Sequence, residues 1–170
     1  GEEEKVNLVQ VEHFTAVPGK GLKAILEGRV VLIGNRRLME ESYVSISDQE
    51  INLSKLEEEG KTAMIISIDG ELSGIIAVAD QIKETSLEAI KQLQSMNLDV
   101  YMITGDNERT AKAIAKQVGI ENILADVLPE NKAMAVEDLK KQGKHVGMVG
   151  DGINDAPALA AADVGFAIGT

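Results

Sequence analysis

Three oxygen-bearing side chains, Asp151, Asn154 and Asp155, follow directly on the apolar run Val146-Gly-Met-Val-Gly150. A buried strand delivers its last residues to the carboxyl edge of a sheet, and Gly150 and Gly152 let the backbone turn tightly there. Carboxylates gathered at such an edge are satisfied by a hard cation, and Mg²⁺ with a phosphate close by is the natural occupant. Asp-Gly and Asn-Asp pairs also make plain turns. It is the whole string Gly150-Asp-Gly-Ile-Asn-Asp-Ala-Pro-Ala-Leu159 that carries the expectation.

Two further positions fit the same chemistry. The run Val100-Tyr-Met-Ile-Thr104 ends in Gly105-Asp106, with a helix expected from Asn107. A hydroxyl at a strand end beside a helix N-terminus is placed to hold a phosphoryl oxygen. The equal alternative is that Thr104, Asp106 or Asn107 only caps the helix. Lys132 falls in the first turn of a helix expected from Pro129, where its charge opposes the helix dipole. A surface lysine is the plain explanation when that position is taken alone.

Taken in order, these segments resemble the later motifs of haloacid-dehalogenase-type phosphoryl transfer, and within that superfamily the P-type ATPases. Thr104-Gly105-Asp106 resembles their TGD element, Lys132 the lysine of PxxK, and Gly150 through Asp155 their GDGxND hinge motif. The resemblance implies that Thr104 and Lys132 hold and neutralise a phosphoryl group while Asp151 ligates Mg²⁺, with Asp155 and Asn154 completing the cation's surroundings. Electrostatics and positioning would then do most of the work.

The first half suggests the subfamily. Ala16-Val-Pro-Gly-Lys-Gly-Leu22 resembles the glycine pair of the nucleotide-binding domain in heavy-metal, copper-type pumps, and Val31-Leu-Ile-Gly-Asn-Arg36 their Gly-Asn-Arg element. By that resemblance Gly19, Gly21 and Leu22 line adenine or ribose of ATP, and Gly34, Asn35 and Arg36 complete the cleft. The Asp80-Gln-Ile-Lys83 stretch resembles the segment where the chain re-enters the phosphorylation domain. The sequence lacks Asp-Lys-Thr-Gly-Thr, whose aspartate becomes phosphorylated in that family, and lacks the Ser-Glu-His-Pro element. His13 stands in Val-Glu-His-Phe and is expected to be a partly buried side chain without a ligand role.

The resemblance therefore implies part of an ATP-driven heavy-metal pump at the cytosolic face of a membrane. Its partners would be ATP and the remainder of the pump: transmembrane helices, actuator domain and the segment with the phosphorylated aspartate. The transported metal would bind elsewhere. Two rival readings are a soluble phosphatase of the same superfamily and a non-catalytic nucleotide-binding module. The phosphatase would draw its first motif from Met64-Ile-Ile-Ser-Ile-Asp-Gly70, but Ser67 would then occupy the nucleophile position, where a carboxylate is needed. A hairpin explains that stretch better.

Composition agrees with a globular cytosolic piece. A formal charge of -11 repels nucleic acid and anionic lipid, so a phosphate ligand must arrive with a cation or meet local donors. Cysteine is absent, which removes disulfides and thiolate metal sites. Aromatics make up only 2%, so the core must be aliphatic.

The elements that must position these residues change rhythm near Asp80. Before it, a strand is expected around Val6 to Val11, a hairpin at Glu27-Gly28, a short helix from Asn35, a helix over Asp48 to Glu59 and a second hairpin at Asp69-Gly70. After it, helices and strands alternate: strands over Leu98 to Thr104, Asn122 to Ala125, His145 to Val149 and Val164 to Ile168, with helices between. The expected fold is α/β: a haloacid-dehalogenase-like doubly wound parallel sheet over 80–170, preceded by a partial α+β nucleotide-binding domain with antiparallel strands over 1–79.

Overall fold

Two dipeptides with left-handed backbone shape the first half of the chain. Glu27 and Gly28 have φ of 51° and 76°, and Asp69 and Gly70 have 53° and 85°. Successive positive φ values give the primed turn whose twist matches paired strands, so each dipeptide closes a two-residue hairpin. A computed structural model describes residues 10–79, 81–152 and 155–168. The chain divides into two compact units, residues 1–81 and 82–170.

The first unit is an antiparallel sheet in simple chain order. Its strands are β1 (Val11–Val17), β2 (Gly21–Leu26), β3 (Arg29–Gly34), β4 (Thr62–Ile68) and β5 (Glu71–Val78). Helices α1 (Arg36–Glu41) and α2 (Glu50–Glu58) lie between β3 and β4 in sequence and pack on one face of the sheet. Leu38, Met39, Val44 and Leu53 meet Leu32 and Ile65 in an aliphatic core. Each such side chain contributes about 1.5–3 kcal/mol by leaving water.

The expected strand around Val6 to Val11 lies mostly outside the described residues, and β1 begins where it was expected to stop. A bulge between Glu12 and Thr15 breaks its register with β2. His13 sits in that bulge with φ of 49° and is exposed, not partly buried as its sequence context suggested. A residue in a bulge is left out of the ladder, so its side chain is not held to the strand's in-out alternation.

The second unit alternates helix and strand: α3 (Glu84–Ser95), β6 (Tyr101–Ile103), α4 (Glu108–Val118), β7 (Asn122–Leu124), α5 (Lys132–Lys141), β8 (Gly147–Gly150), α6 (Ala156–Ala161) and β9 (Val164–Ala167). β6 pairs in parallel with β7, and β8 in parallel with β9. The fold is thus mixed α/β, an antiparallel sheet plus small parallel ones. Ala111, Ala115 and Val118 recur at helical spacing on the buried side of α4, and Gly119 ends it with φ of 77°. A second core joins Val136 of α5, Met148 of β8 and Ala158 of α6, and Ile103 at the end of β6 packs against it.

Candidate functional site

In the second unit, the end of β6 and the loop after β7 are tied together through the backbone. The Thr104 amide donates to Leu124 O at 3.0 Å, Thr104 O accepts from the Val127 amide at 3.0 Å, and Asp106 O accepts from the Asp126 amide at 2.8 Å. Gly105 lies under this loop, where an added Cβ would stand 3.5 Å from Val127 O, an ordinary contact. From Val127 the chain runs through a single 3₁₀ turn, Pro129–Asn131, into Lys132. The hydroxyl and the lysine are therefore carried on two adjoining segments.

Thr104 does not cap α4. Asn107 does, with Oδ1 accepting the Thr110 amide at 3.1 Å. The Thr104 hydroxyl instead donates to Asp106 Oδ2 at 2.8 Å and accepts the Asp106 amide at 3.1 Å.

Lys132 Nζ reaches Asp155 Oδ1 at 2.7 Å, and both side chains are largely buried. This contact joins the start of α5 to the loop after β8. It also offsets the unfavourable end-on position of Lys132 at a helix N-terminus. Gly150 makes room for it: a Cβ there would lie 2.6 Å from Asp155 Cβ and 2.7 Å from its Oδ2. Asp151 is exposed beside Gly152, whose φ is 83°. Asn154 lies outside the described residues.

The glycine-rich positions come together in the first unit. Val17-Pro-Gly-Lys20 is a turn closed by the Lys20 amide on Val17 O at 3.0 Å, with Gly19 at φ of 68°. Proline then glycine suits a type II turn. Gly21 and Gly34 are direct cross-strand partners. A Cβ on Gly21 would stand 2.1 Å from Ile33 O, and one on Gly34 would stand 2.2 Å from Lys20 O. Their lack of side chains is thus demanded by each other's backbone, a reason the sequence did not reveal. Leu22, half-buried on β2, pairs with Ile33.

Asn35 caps α1 by accepting the Leu38 amide at 3.1 Å, and its Nδ2 donates to Gly19 O at 3.0 Å. The Arg36 guanidinium turns to α2, donating to Glu50 at 2.9 Å and to Glu57. Burial lowers the Arg36 pKa, but the hydrogen bonds to Glu50 and then Glu57 outweigh it, and the net direction is upward. Glu57 was missed in the sequence, although it lies four residues after Leu53 on the buried stripe of α2. A depression of about 330 Å³ lined by Gln49, Asn52, Leu72, Ser73, Gly74 and Ile75 takes none of its lining from Gly19 to Arg36.

The rival first motif is built into the hairpin. Ser67 is fully buried on β4. Asp69 accepts from Arg29 Nε and from the Val30 amide, each at 2.8 Å, which locks the β4–β5 turn to β3. Asp80 lies outside the described residues.

A family model for haloacid dehalogenase-like hydrolases matches residues 1–163. The chain belongs to that family. As a haloacid dehalogenase-like chain it is 51% identical over 165 residues to a copper-exporting P-type ATPase of Staphylococcus saprophyticus, and 51% identical over 172 residues to one of Staphylococcus aureus. These alignments cover 97% and 99% of the chain but 21% of each relative, so the chain spans about a fifth of their length. Among solved structures it is similar to a zinc-transporting PIB-type ATPase in an E2.Pi state, at 33% identity and TM-score 0.55, covering 98% of this chain and 26% of that one. It is also similar to the catalytic domain of the CPx-ATPase CopB-B, described in connection with nucleotide binding, at 25% identity and TM-score 0.66, covering 96% and 56%. No helix among the described residues of this haloacid dehalogenase-like chain is long and apolar enough to cross a membrane.

Proposed function

We propose that the chain is the cytosolic ATP-binding and phosphoryl-transfer portion of a heavy-metal P-type pump, with copper export as the parent activity. The observation that carries this reading is the Lys132–Asp155 contact, which joins a helix-start cation to the acidic loop after β8. In this reading residues 1–79 belong to a nucleotide-binding domain and 80–170 to a phosphorylation domain. The β6–β7 and β8–β9 pairs belong to one doubly wound sheet. Their common parallel sense, and the packing of Ile103 against the Val136, Met148 and Ala158 cluster, support that assignment.

Lys132 supplies positive charge beside the transferring phosphoryl group. Its ammonium has three donors, so it can keep Asp155 and still meet a phosphoryl oxygen. Thr104 has one proton, already given to Asp106. Its hydroxyl therefore reaches a phosphoryl oxygen only by exchanging that hydrogen bond, with Asp106 holding it ready. The acceptor aspartate lies on another stretch of the parent polypeptide. Gly19, Gly21, Leu22, Gly34 and Asn35 form the edge that meets the nucleotide.

Magnesium fits this donor set in part. No group of three or more acidic or histidine side chains able to hold a metal is present among the described residues. Mg²⁺ commonly needs only one or two carboxylates, taking its other ligands from water and phosphate. Asp151 and Asp155 would hold it, and the ion would neutralise charge on the phosphoryl oxygens.

Calorimetric titration of the chain with ATP, with and without Mg²⁺, tests the reading. Binding that strengthens with Mg²⁺ and loses that response in Asp151→Ala supports it. Binding indifferent to both contradicts it.

A further inference from the structure

Arg36 directs all three guanidinium nitrogens at α2. Nε donates to Glu50 Oε2 at 3.1 Å, Nη2 to Glu50 Oε1 at 2.9 Å, and Nη1 to Glu57. Glu57 is 1% exposed and lies in the last turn of α2. The negative end of a helix dipole disfavours a carboxylate, so the last turn is the wrong place for a buried glutamate. A charge so placed persists only with a close counter-ion. Local rules are broken chiefly where function or another constraint demands it.

The constraint lies one residue upstream. Arg36 opens α1 directly after Asn35, and Asn35 holds three things: the Leu38 amide through Oδ1, Gly19 O through Nδ2, and Lys20 O through its own amide at 2.9 Å. Anchoring Arg36 to α2 therefore fixes Asn35, and through it the Pro18-Gly19 turn and the Gly21–Gly34 pair. We propose that Arg36, Glu57 and Glu50 are positioning residues: a strut from α2 that holds the Gly19-to-Asn35 edge in its nucleotide-binding shape, with the guanidinium making no contact to the nucleotide. The proposal rests on the nucleotide reading of that edge. It departs from the role in the cleft that resemblance gave Arg36.

The test is calorimetric titration of the full chain with ATP and, separately, with adenosine. The strut predicts that Glu57→Gln weakens both ligands alike, by roughly tenfold, and that Arg36→Gln combined with Glu57→Gln loses no more than Arg36→Gln alone. A phosphate contact predicts instead that Arg36→Gln weakens ATP but not adenosine, and that result overturns the proposal, as does unchanged binding in Glu57→Gln. If Glu57→Gln does not fold, Glu50→Gln, at a more exposed carboxylate, reads the same two outcomes. If the wild-type chain binds neither ligand, the nucleotide reading of the edge fails by itself. The strut is then judged by hydrogen exchange at the Leu38 amide: faster exchange in Glu57→Gln supports it, and unchanged exchange overturns it.

Discussion

Lys132 Nζ lies 2.7 Å from Asp155 Oδ1, with 18% and 13% of the two side chains exposed. At that burial the pair is shielded from solvent, and removing one partner strands the other's charge. Lys132→Met and Asp155→Asn should each lower stability, and the double variant should lose less than their sum. A coupling of about 0.5–3 kcal/mol in a urea-unfolding double-mutant cycle is the expected outcome.

Gly150→Ala should act on the same contact from the backbone side. Its new Cβ would crowd Asp155 Cβ at 2.6 Å, so either the loop shifts or the carboxylate leaves Lys132. Overpacking of this kind typically costs about 1–3 kcal/mol. Thermal denaturation reads the loss, and Gly150→Ala placed on an Asp155→Asn background should cost less, because the overlap with residue 155 remains but the ion pair with Lys132 is already gone.

Gly34→Ala and Gly74→Ala separate two kinds of strand glycine. A Cβ on Gly34 meets Lys20 O at 2.2 Å and Leu38 Cδ2 at 2.6 Å, whereas one on Gly74 meets nothing within 4 Å. Backbone cannot yield as a side-chain end can, so Gly34→Ala should cost about 1–3 kcal/mol or more. Gly74→Ala should stay within about ±0.5 kcal/mol. Chemical denaturation midpoints of the two variants decide this.

Acid should weaken both units through named carboxylates. The Arg29 hydrogen bond and then the Val30 amide hold Asp69 below the ordinary carboxylate range, and the Val146 amide followed by Lys140 does the same for Asp163. A folded-state pKa below the unfolded one gives stability that is complete above the unfolded value, about 3.9, and lost as pH falls through the folded value. The gap in urea midpoint between wild type and Asp163→Asn should therefore close on acidification below about pH 4. A gap that persists at low pH would show that Asp163 acts by something other than its charge.

Local signals carried much of the architecture. Glu27-Gly28 and Asp69-Gly70 announced their hairpins because only a few residue types accept two positive φ values in succession. The alternation after residue 80 announced the parallel pairs through its period. What was not legible depended on contacts between distant residues. Arg36 meets Glu50 and Glu57 across 14 and 21 positions, and no local pattern reports such a partner. Gly21 and Gly34 looked like room left for a ligand, while their mutual backbone crowding emerged only with the β2–β3 register. The bulge at His13 was hidden for a related reason, since a bulge is defined by what the neighbouring strand does. Lys132 and Asp155 were each marked for phosphoryl chemistry, but their direct pairing was not.

In the proposed function, Thr104 and Lys132 stabilise a phosphoryl group whose acceptor aspartate lies elsewhere in the parent polypeptide. Phosphoenzyme formed from γ-labelled ATP and Mg²⁺ in the parent pump, quantified as hydroxylamine-sensitive label, tests it most directly. Lys132→Ala should lower this label by about 10²-fold or more, in line with the loss of a preorganised charge stabiliser. Label formed at the wild-type rate and level in Lys132→Ala would contradict it.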